Sequence, residues 1–268
     1  MPTQKIKLFQ VDAFTDKIFH GNPAAVCILP KWIDASKMQD IAAENNLAET
    51  AFVVKKDNAF EIRWFTPAVE VDLCGHATLA AAHVIFNYYD YRPTIINFHS
   101  QHSGLLSVEK NGNNLTLDFP KDIFEEVVTA PKNLIKAIGV KPIKIYKGKT
   151  DYLLHFSTQK MIEDLKPDFS LLSTVDCRGI IVTAAGNEVD FVSRFFAPQS
   201  GINEDPVTGS AHTTLIPFWA KITGKNILTA SQLSKRHGDL TCKCRGERVR
   251  ITGKAITYMQ GEIEIPSH

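Results

Sequence analysis

The chain has 268 residues, of which 44% are hydrophobic and 22% are charged, and its formal net charge is +1. This composition is typical of a soluble globular protein, and the near-neutral charge argues against a dedicated nucleic-acid binder. The apolar runs fall short of the roughly 20 residues that span a bilayer, and the first residues lack a signal-peptide pattern. Five cysteines without a CxxC pair favour free thiols, so we expect a cytoplasmic protein with no membrane or nucleic-acid partner.

The first half of the chain consists mainly of short alternating or apolar segments that predict strands. These segments are residues 5–11, 24–29, 50–54, 60–65, 94–98, 104–109 and 115–119. Residues 34–46 have the apolar spacing of a helix, for which Asp34 is the candidate N-cap, and Asn111-Gly112 predicts a hairpin turn. A second helix follows Cys74-Gly75-His76, and because it is apolar on nearly every face we expect it to be buried.

The second half repeats this plan with additional short helices. Strands are predicted at residues 143–146, 151–156, 179–183, 189–196, 240–244, 248–252 and 255–265, and short helices at 133–138 and 160–165. A second apolar helix is predicted to begin at Gly209. The charged segment 120–132, with prolines at positions 120 and 131, is the expected linker. The sequence therefore predicts domains 1–119 and 120–268, with a last strand that is able to return to the first domain.

A repeated motif marks equivalent points in the two halves. Arg63-Trp64-Phe65-Thr66-Pro67 precedes the first apolar helix, and Arg194-Phe195-Phe196-Ala197-Pro198 precedes the second. Each copy has the pattern of a strand, a loop beginning at proline, a glycine and a helix. We therefore predict an α+β protein built from two similar domains, in each of which a curled, mostly antiparallel sheet surrounds a central apolar helix.

The glycine at the start of each apolar helix, Gly75 or Gly209, has two interpretations. Taken by itself, either residue can be explained as an ordinary turn glycine. However, a helix start also offers unpaired backbone N–H groups and the positive end of the helix dipole, and glycine lets a ligand approach them closely. Two such starts facing one cleft would bind a small anionic molecule.

Side chains that can move protons flank both glycines. Cys74 and His76 flank the first, whereas Glu204 and Asp205 precede the second, which lies between Thr208 and Ser210. A histidine and a carboxylate on opposite sides of a cleft are candidates for general acid–base catalysis.

Glu49 is a further candidate, in the segment Leu47-Ala48-Glu49-Thr50-Ala51. It stands where a predicted helix gives way to an apolar strand, and partial burial there would disfavour its charged form and suit it to act as a base. A solvated surface glutamate is the simpler alternative. The second half has no carboxylate at the equivalent position, so the scaffold repeats although the acid–base groups do not.

The sequence lacks the patterns of common cofactor sites. Gly148-Lys149-Thr150 is without the leading glycine of a phosphate-binding loop, and His99 and His102 have no nearby cysteine or carboxylate to complete a zinc site. Neither a dinucleotide fingerprint nor the context of a pyridoxal lysine is present. We therefore expect no metal and no cofactor.

Motifs in order along the chain resemble those of the phenazine biosynthesis-like (PhzF-type) family. They are Phe9-Gln10-Val11-Asp12-Ala13-Phe14, Gly21-Asn22-Pro23-Ala24, Ala48-Glu49-Thr50-Ala51-Phe52, Leu73-Cys74-Gly75-His76-Ala77-Thr78 and Glu204-Asp205-Pro206-Val207-Thr208-Gly209-Ser210-Ala211. The last two at this spacing are highly specific, and the resemblance extends over nearly the whole chain. It implies the diaminopimelate epimerase-like fold, with two pseudo-twofold-related domains and an active site between them.

The resemblance also implies a cofactor-independent isomerase that moves a proton on a small carboxylated metabolite and forms a homodimer. Carried over to this sequence, Glu49 is the catalytic acid/base, and His76 and Asp205 assist proton delivery and bind polar groups of the substrate. Ser210 and the backbone at the two helix glycines would hold the substrate carboxylate. The predicted substrate-binding residues are Asn22, Cys74, Gly75, Thr208, Gly209 and Ser210.

Two alternative functions remain open at the level of sequence. In a two-thiol racemase or epimerase of the same fold, a cysteine before each helix glycine acts as a base. Cys74 occupies the first such position, but the second is Thr208, whose hydroxyl is far too weak an acid to replace a thiolate. The other alternative is a non-catalytic carboxylate-binding protein, which would need the helix starts but not the acid–base residues.

Overall fold

The computed structural model describes residues 3–266, which form two compact units. Unit 1 extends to Asp118 and resumes at Thr252, and unit 2 comprises Phe119–Ile251. The sequence-based division between residues 119 and 120 is adjacent to this one, and the final strand is part of unit 1. Residues 1, 2, 267 and 268 of the predicted domains lie outside the described residues.

The elements of the first half follow one another with short connections. In chain order they are β1 (Thr3–Ala13), β2 (Asn22–Leu29), α1 (Ala35–Asn45), β3 (Glu49–Lys56), β4 (Ala59–Phe65), β5 (Glu70–Val71), α2 (Gly75–Tyr88), β6 (Ile95–Ser100), β7 (Gly104–Asn111) and β8 (Asn114–Pro120). Each strand and helix predicted for this half is present, Asp34 is the N-cap residue of α1, and a tight turn after Asn111 joins β7 to β8. The two-residue strand β5 was not predicted.

The second half contains more short elements than its sequence indicated. They are β9 (Glu125–Glu126), α3 (Leu134–Ile138), β10 (Lys144–Lys147), β11 (Asp151–His155), α4 (Gln159–Asp164), α5 (Phe169–Leu172), β12 (Gly179–Ala185), β13 (Phe191–Ala197), β14 (Ile202–Asp205), α6 (His212–Thr223), β15 (Ile227–Gln232), β16 (Gly238–Arg245), β17 (Arg248–Gly253) and β18 (Ala255–Pro266). A 3-10 turn at Pro198–Ser200 precedes β14. The strands β9, β14 and β15 and the helix α5 were not predicted.

The same order of strand pairings occurs inside each unit. In unit 1, β1 is antiparallel to β2, β2 is parallel to β3, β3 is antiparallel to β4, and β4 pairs antiparallel with β5 and parallel with β6. In unit 2, β10, β11, β12, β13, β14 and β15 repeat this sequence of pairings in the same order. The final strand β18 pairs antiparallel with β1 along its length, which makes it part of unit 1.

Each unit also has a helix whose side chains are largely buried. In unit 1, α2 packs against β1, β2, β3, β7 and β18, and its small Ala80, Ala81 and Ala82 are fully buried, so the surrounding strands can approach closely. In unit 2, α6 packs against β15 and β16, and its Trp219 stacks on Phe191 of β13. The α+β fold with a central apolar helix is therefore confirmed.

The predicted start of the second apolar helix at Gly209 was wrong by three residues. The helix α6 begins at His212. At its start, the backbone N–H groups of His212 and Thr213 donate to the carbonyls of Gly209 and Ser210. These hydrogen bonds join residues three apart rather than the four of an α-helix. Gly209 and Ser210 therefore belong to a tight turn, whereas Gly75 is the first residue of α2.

The repeated arginine of the sequence motif has the same structural role in both units. Arg63 of β4 donates two hydrogen bonds of 2.7 Å to the carboxylate of Glu70 on β5. Arg194 of β13 donates two hydrogen bonds of 2.7 and 2.9 Å to Glu204 on β14. Such bidentate pairs fix both position and orientation. Each arginine thus attaches the short strand that precedes the helix glycine, β5 before Gly75 or β14 before Gly209, to the sheet of its unit.

Among residues 3–266, none of the helices combines the length and the apolarity that a membrane-spanning segment requires.

Candidate active site

The predicted catalytic and substrate-binding residues of unit 1 come from the starts of three elements. Asn22 begins β2, Glu49 begins β3, and Cys74 is the N-cap of α2, with His76 in its first turn. Because β2 and β3 are parallel, their first residues lie at the same edge of the sheet. Packing of α2 against these two strands brings its first turn to that edge.

A glycine that no other residue can replace precedes Asn22. Gly21 has a φ of +62°, and a Cβ atom at this position would lie 2.1 Å from the carbonyl oxygen of Ala13. The chain can turn this tightly into β2 only without a side chain. The turn places Asn22 opposite Ala13, fully buried beside the start of α2.

His76 lies at the centre of this cluster. Its Nδ1 is 3.2 Å from the amide nitrogen of Asn22 and 3.5 Å from the Sγ of Cys74. Its Nε2 is 3.2 Å from Oε2 of Glu49. Cys74 and His76 are buried, whereas one fifth of the Glu49 side chain is exposed, so the glutamate is the most exposed of these three side chains.

Burial determines the charge of His76. Loss of hydration lowers the pKa of His76 to about 3, so the ring is neutral at physiological pH. A neutral imidazole carries one proton, and because the Asn22 amide donates to Nδ1, that proton sits on Nε2. The Nε2–H group of the neutral His76 ring therefore lies next to Oε2 of Glu49, although their 3.2 Å contact lacks the geometry of a hydrogen bond.

Glu49, Cys74 and His76 also offer the donor atoms of a metal site. Donor atoms of Glu49, Cys74 and His76 lie within 4.8 Å of one another, and thiolate, imidazole and carboxylate are all ligands of Zn²⁺. However, a metal-bound histidine normally donates its other ring N–H to an acceptor. Here Nδ1 instead receives the Asn22 amide, which leaves the proton on the nitrogen that faces Glu49. The hydrogen bonding fits proton transfer better than metal binding.

Buried histidines lead to a prediction about acid stability. Loss of hydration lowers the pKa of His76 to about 3 and that of His212 to about 4, and burial together with Lys110 lowers the pKa of His83 to about 4. Below about pH 6.5 the unfolded chain binds protons at these positions that the folded protein does not. The free energy of unfolding should therefore fall as the pH is lowered from 6.5 to 4, by about 1 kcal/mol per pH unit for each histidine.

Urea unfolding at pH 7.5, 6 and 5 measures this dependence. His212→Gln should reduce the pH slope, whereas the matched change of the exposed His20→Gln should leave it unaltered. Equal slopes for the protein and for His212→Gln would contradict the prediction.

In unit 2, the predicted residues Asp205, Thr208, Gly209 and Ser210 occupy the end of β14 and the turn before α6. Asp205 and Thr208 are buried, and the Thr208 hydroxyl donates a 2.5 Å hydrogen bond to Oδ2 of Asp205. The backbone of this turn is fixed by the Nδ1 of His212, which lies 2.8 Å from the carbonyl of Thr208. The structure therefore brings Asp205 and Thr208 together and gives Thr208 the role of a donor.

Ser210 is held by a residue that the sequence did not reveal. Arg178 donates from Nη1 to the Ser210 hydroxyl oxygen at 2.9 Å, and its other nitrogens form a bidentate pair with the buried Asp151. A guanidinium group has no acceptor, so the Ser210 proton remains available to another oxygen. The signal in the sequence was faint: Asp151 begins β11, and Arg178 immediately precedes β12, the strand parallel to it.

Two neighbouring carboxylates in the Glu204-Asp205 motif have different surroundings. Successive residues of a strand point to opposite faces. Glu204 is consumed by the pair with Arg194, whereas Asp205 contacts Thr208. Glu204 therefore has a structural role, and Asp205 stays the candidate for chemistry.

The sequence profile described as "Phenazine biosynthesis-like protein" matches residues 11–261 of the chain. The chain belongs to the phenazine biosynthesis-like family. An uncharacterised isomerase of Pseudomonas aeruginosa is 50% identical over 261 residues, which are 97% of this chain and 100% of that protein. The family resemblance inferred from the motifs is thus confirmed, and the chain is an enzyme of the isomerase class.

Solved structures support the fold. A crystal structure of a PhzF-family phenazine biosynthesis protein from Enterococcus faecalis has a TM-score of 0.93 and 46% identity, covering 97% of this chain and 99% of that one. A hydroxyproline epimerase from Agrobacterium vitis, at 10% identity and a TM-score of 0.62, covers 97% of this chain and 93% of its own. At that identity the likeness concerns the fold alone, and it agrees with the diaminopimelate epimerase-like class.

Proposed function

We propose that this isomerase moves a proton between atoms of a small carboxylated metabolite by general acid–base catalysis without a cofactor, and that Glu49 is the group that exchanges the proton. The observation that carries the proposal is the 3.2 Å approach of His76 Nε2 to Glu49 Oε2. When the two groups align during the reaction, the neutral N–H donor stabilises the carboxylate after it releases a proton and does so without becoming charged itself. Glu49 can then accept a proton from one substrate carbon and return it to another.

The residues of unit 2 complete the proposed apparatus. Asp205 is the second carboxylate, and it assists proton delivery. The hydroxyl of Ser210, whose oxygen already accepts from Arg178, donates to an oxygen of the substrate carboxylate. Asn22, Cys74 and the backbone at Gly75 and Gly209 form the rest of the substrate contacts. Family membership is the reason why we further propose a cytoplasmic homodimer.

Solvent exchange in deuterated water tests the proposal without knowledge of the physiological substrate. Small cyclic carboxylates, among them proline and cyclohexadiene carboxylates, are incubated with the enzyme and followed by proton NMR, with and without EDTA. We expect deuterium at a substrate carbon, and an equal rate in the presence of the chelator. Tight binding of a carboxylate without any exchange would instead support the non-catalytic binding protein, and loss of exchange in EDTA would contradict the cofactor-independent mechanism.

The two-thiol racemase is the second candidate, and the burial of Cys74 beside Nδ1 of His76 is the observation that keeps it under test. In the proposed mechanism Cys74 contacts substrate but transfers no proton. Cys74→Ser should therefore reduce exchange by about tenfold or less, since a hydroxyl of similar size replaces the thiol. Complete loss of exchange in Cys74→Ser, together with retained exchange in Glu49→Gln, would reverse the assignment.

A further inference from the structure

A buried glutamine in unit 2 uses all of its polar groups on the segment that contains Asp205. Gln232 is the last residue of β15 and is fully buried. Its Oε1 accepts from the backbone N–H of Thr208 at 2.9 Å. Its Nε2 donates to the backbone carbonyl of Asp205 at 2.9 Å and to the hydroxyl oxygen of Thr208 at 3.1 Å.

These contacts determine the orientation of the amide. Rotation of the amide by 180° would direct the NH₂ group of Gln232 at the N–H of Thr208 and its oxygen at the carbonyl of Asp205. A donor would then face a donor and an acceptor would face an acceptor inside the protein, where unsatisfied polar groups are costly. The amide nitrogen is therefore the atom beside the Thr208 hydroxyl.

The orientation of the amide in turn determines the direction of the Thr208 hydroxyl. Because the oxygen of Thr208 accepts a hydrogen from Gln232, its own hydrogen points to its remaining neighbour, Oδ2 of Asp205, at 2.5 Å. Hydrogen bonds to a carboxylate favour its charged form. A thiol at this position would be a much weaker donor and acceptor.

We propose that Gln232 is a positioning residue that locks Thr208 as a hydrogen-bond donor and thereby holds Asp205 as an oriented, ionised carboxylate. The proposal rests on the proposed function, in which Asp205 assists proton delivery. It extends that function by excluding Thr208 itself from proton transfer, and it explains why threonine serves at the position where a two-thiol enzyme needs cysteine. Asp205 then enters the reaction as a proton acceptor.

The direct test follows the Asp205 carboxyl carbon by NMR in protein labelled with ¹³C-aspartate, and it needs no substrate. The Asp205 signal is assigned as the one absent from Asp205→Asn. Thr208→Val should move the titration midpoint of this signal upwards by about one pH unit, because the charged form loses a donor. Thr208→Ser keeps the hydroxyl and should restore the midpoint, and the exposed Thr241→Val is the matched control that should leave it unchanged.

The glutamine is tested in the same way. Gln232→Met removes the donor that fixes the hydroxyl, and it should move the midpoint in the same direction by a smaller amount. Solvent exchange on the carboxylate that reacts fastest should fall by roughly tenfold to a hundredfold in Thr208→Val and recover in Thr208→Ser. An unchanged midpoint in Gln232→Met would overturn the positioning role of Gln232, and should this variant fail to fold, Gln232→Leu replaces it in the same titration.

An unchanged midpoint in Thr208→Val would overturn the inference, whatever the activity. If Asp205→Asn abolishes exchange while Thr208→Val titrates and reacts like the unaltered protein, the inference fails and the proposed function stands. If Asp205→Asn keeps full exchange, the role of Asp205 in the proposed function fails, and an upward shift of the midpoint in Thr208→Val would still support the locked hydroxyl.

Discussion

Glu49→Gln is expected to lower solvent exchange and turnover by about a hundredfold to ten-thousandfold, the usual contribution of a general acid–base group. The amide keeps the shape of the side chain and can present an oxygen to Nε2 of His76, which lies 3.2 Å from the carboxylate oxygen that it replaces. It cannot take up a proton from carbon at neutral pH. Folding and binding of carboxylates should therefore remain close to those of the unaltered protein.

A matched control separates chemistry from charge. Glu44 lies exposed on α1 in the same unit, and Glu44→Gln removes one negative charge without approaching His76. Exchange rates, thermal unfolding and carboxylate binding are measured for both variants. Full exchange in Glu49→Gln would remove Glu49 from the mechanism, and equal losses in both variants would show that the effect comes from net charge.

The largest loss of stability is expected from Arg194→Met. The Arg194 side chain is only 12% exposed, and besides its pair with Glu204 it donates two 3.0 Å hydrogen bonds to the carbonyls of Ile162 and Leu165. Methionine supplies similar volume but no donor, so a largely buried carboxylate and two carbonyls lose their partner. Loss of one member of a buried pair typically lowers the free energy of unfolding by about 3–5 kcal/mol, which urea titration of the variant would measure.

Two other pairs calibrate this expectation. Lys160→Met breaks the exposed pair with Asp164 and should leave unfolding almost unaltered, because such pairs contribute little in water. Arg63→Met should have an intermediate effect, because Arg63 is 24% exposed and its carboxylate partner Glu70 is 28% exposed. If Arg194→Met is no more harmful than Lys160→Met, the proposed anchoring of β14 is incorrect.

The elements that the sequence predicted are those with a strong local pattern. The strand β1 and the helix α2 are predictable from the periodicity of their hydrophobic residues, which depends only on neighbours along the chain. The strands β5 and β14 are short, polar and held by Arg63 and Arg194 from another strand. Their existence depends on long-range pairing, so no local pattern could predict them.

The candidate site shows the same division. Family motifs supplied Glu49, His76, Asp205 and Ser210 as site residues, and these assignments stay predictions. The sequence offered no means of choosing Asp205 over its neighbour Glu204 on chemical grounds, because both are carboxylates. Strand geometry makes the distinction, since Glu204 forms a bidentate pair with Arg194 and Asp205 accepts a hydrogen bond from the Thr208 hydroxyl.

The sequence by itself determined that the chain has a repeated strand–glycine–helix scaffold, that it belongs to an isomerase family, and which types of proton-transfer groups it contains. These properties depend on residue types and spacing. Only the tertiary structure decided which groups meet. It places the neutral imidazole of His76 between Asn22 and Glu49. It also brings Gln232 to Thr208, 24 positions away in the chain, and Arg178 to Ser210, 32 positions away. The physical reason is that hydrogen-bond direction and burial are set by segments distant in the chain.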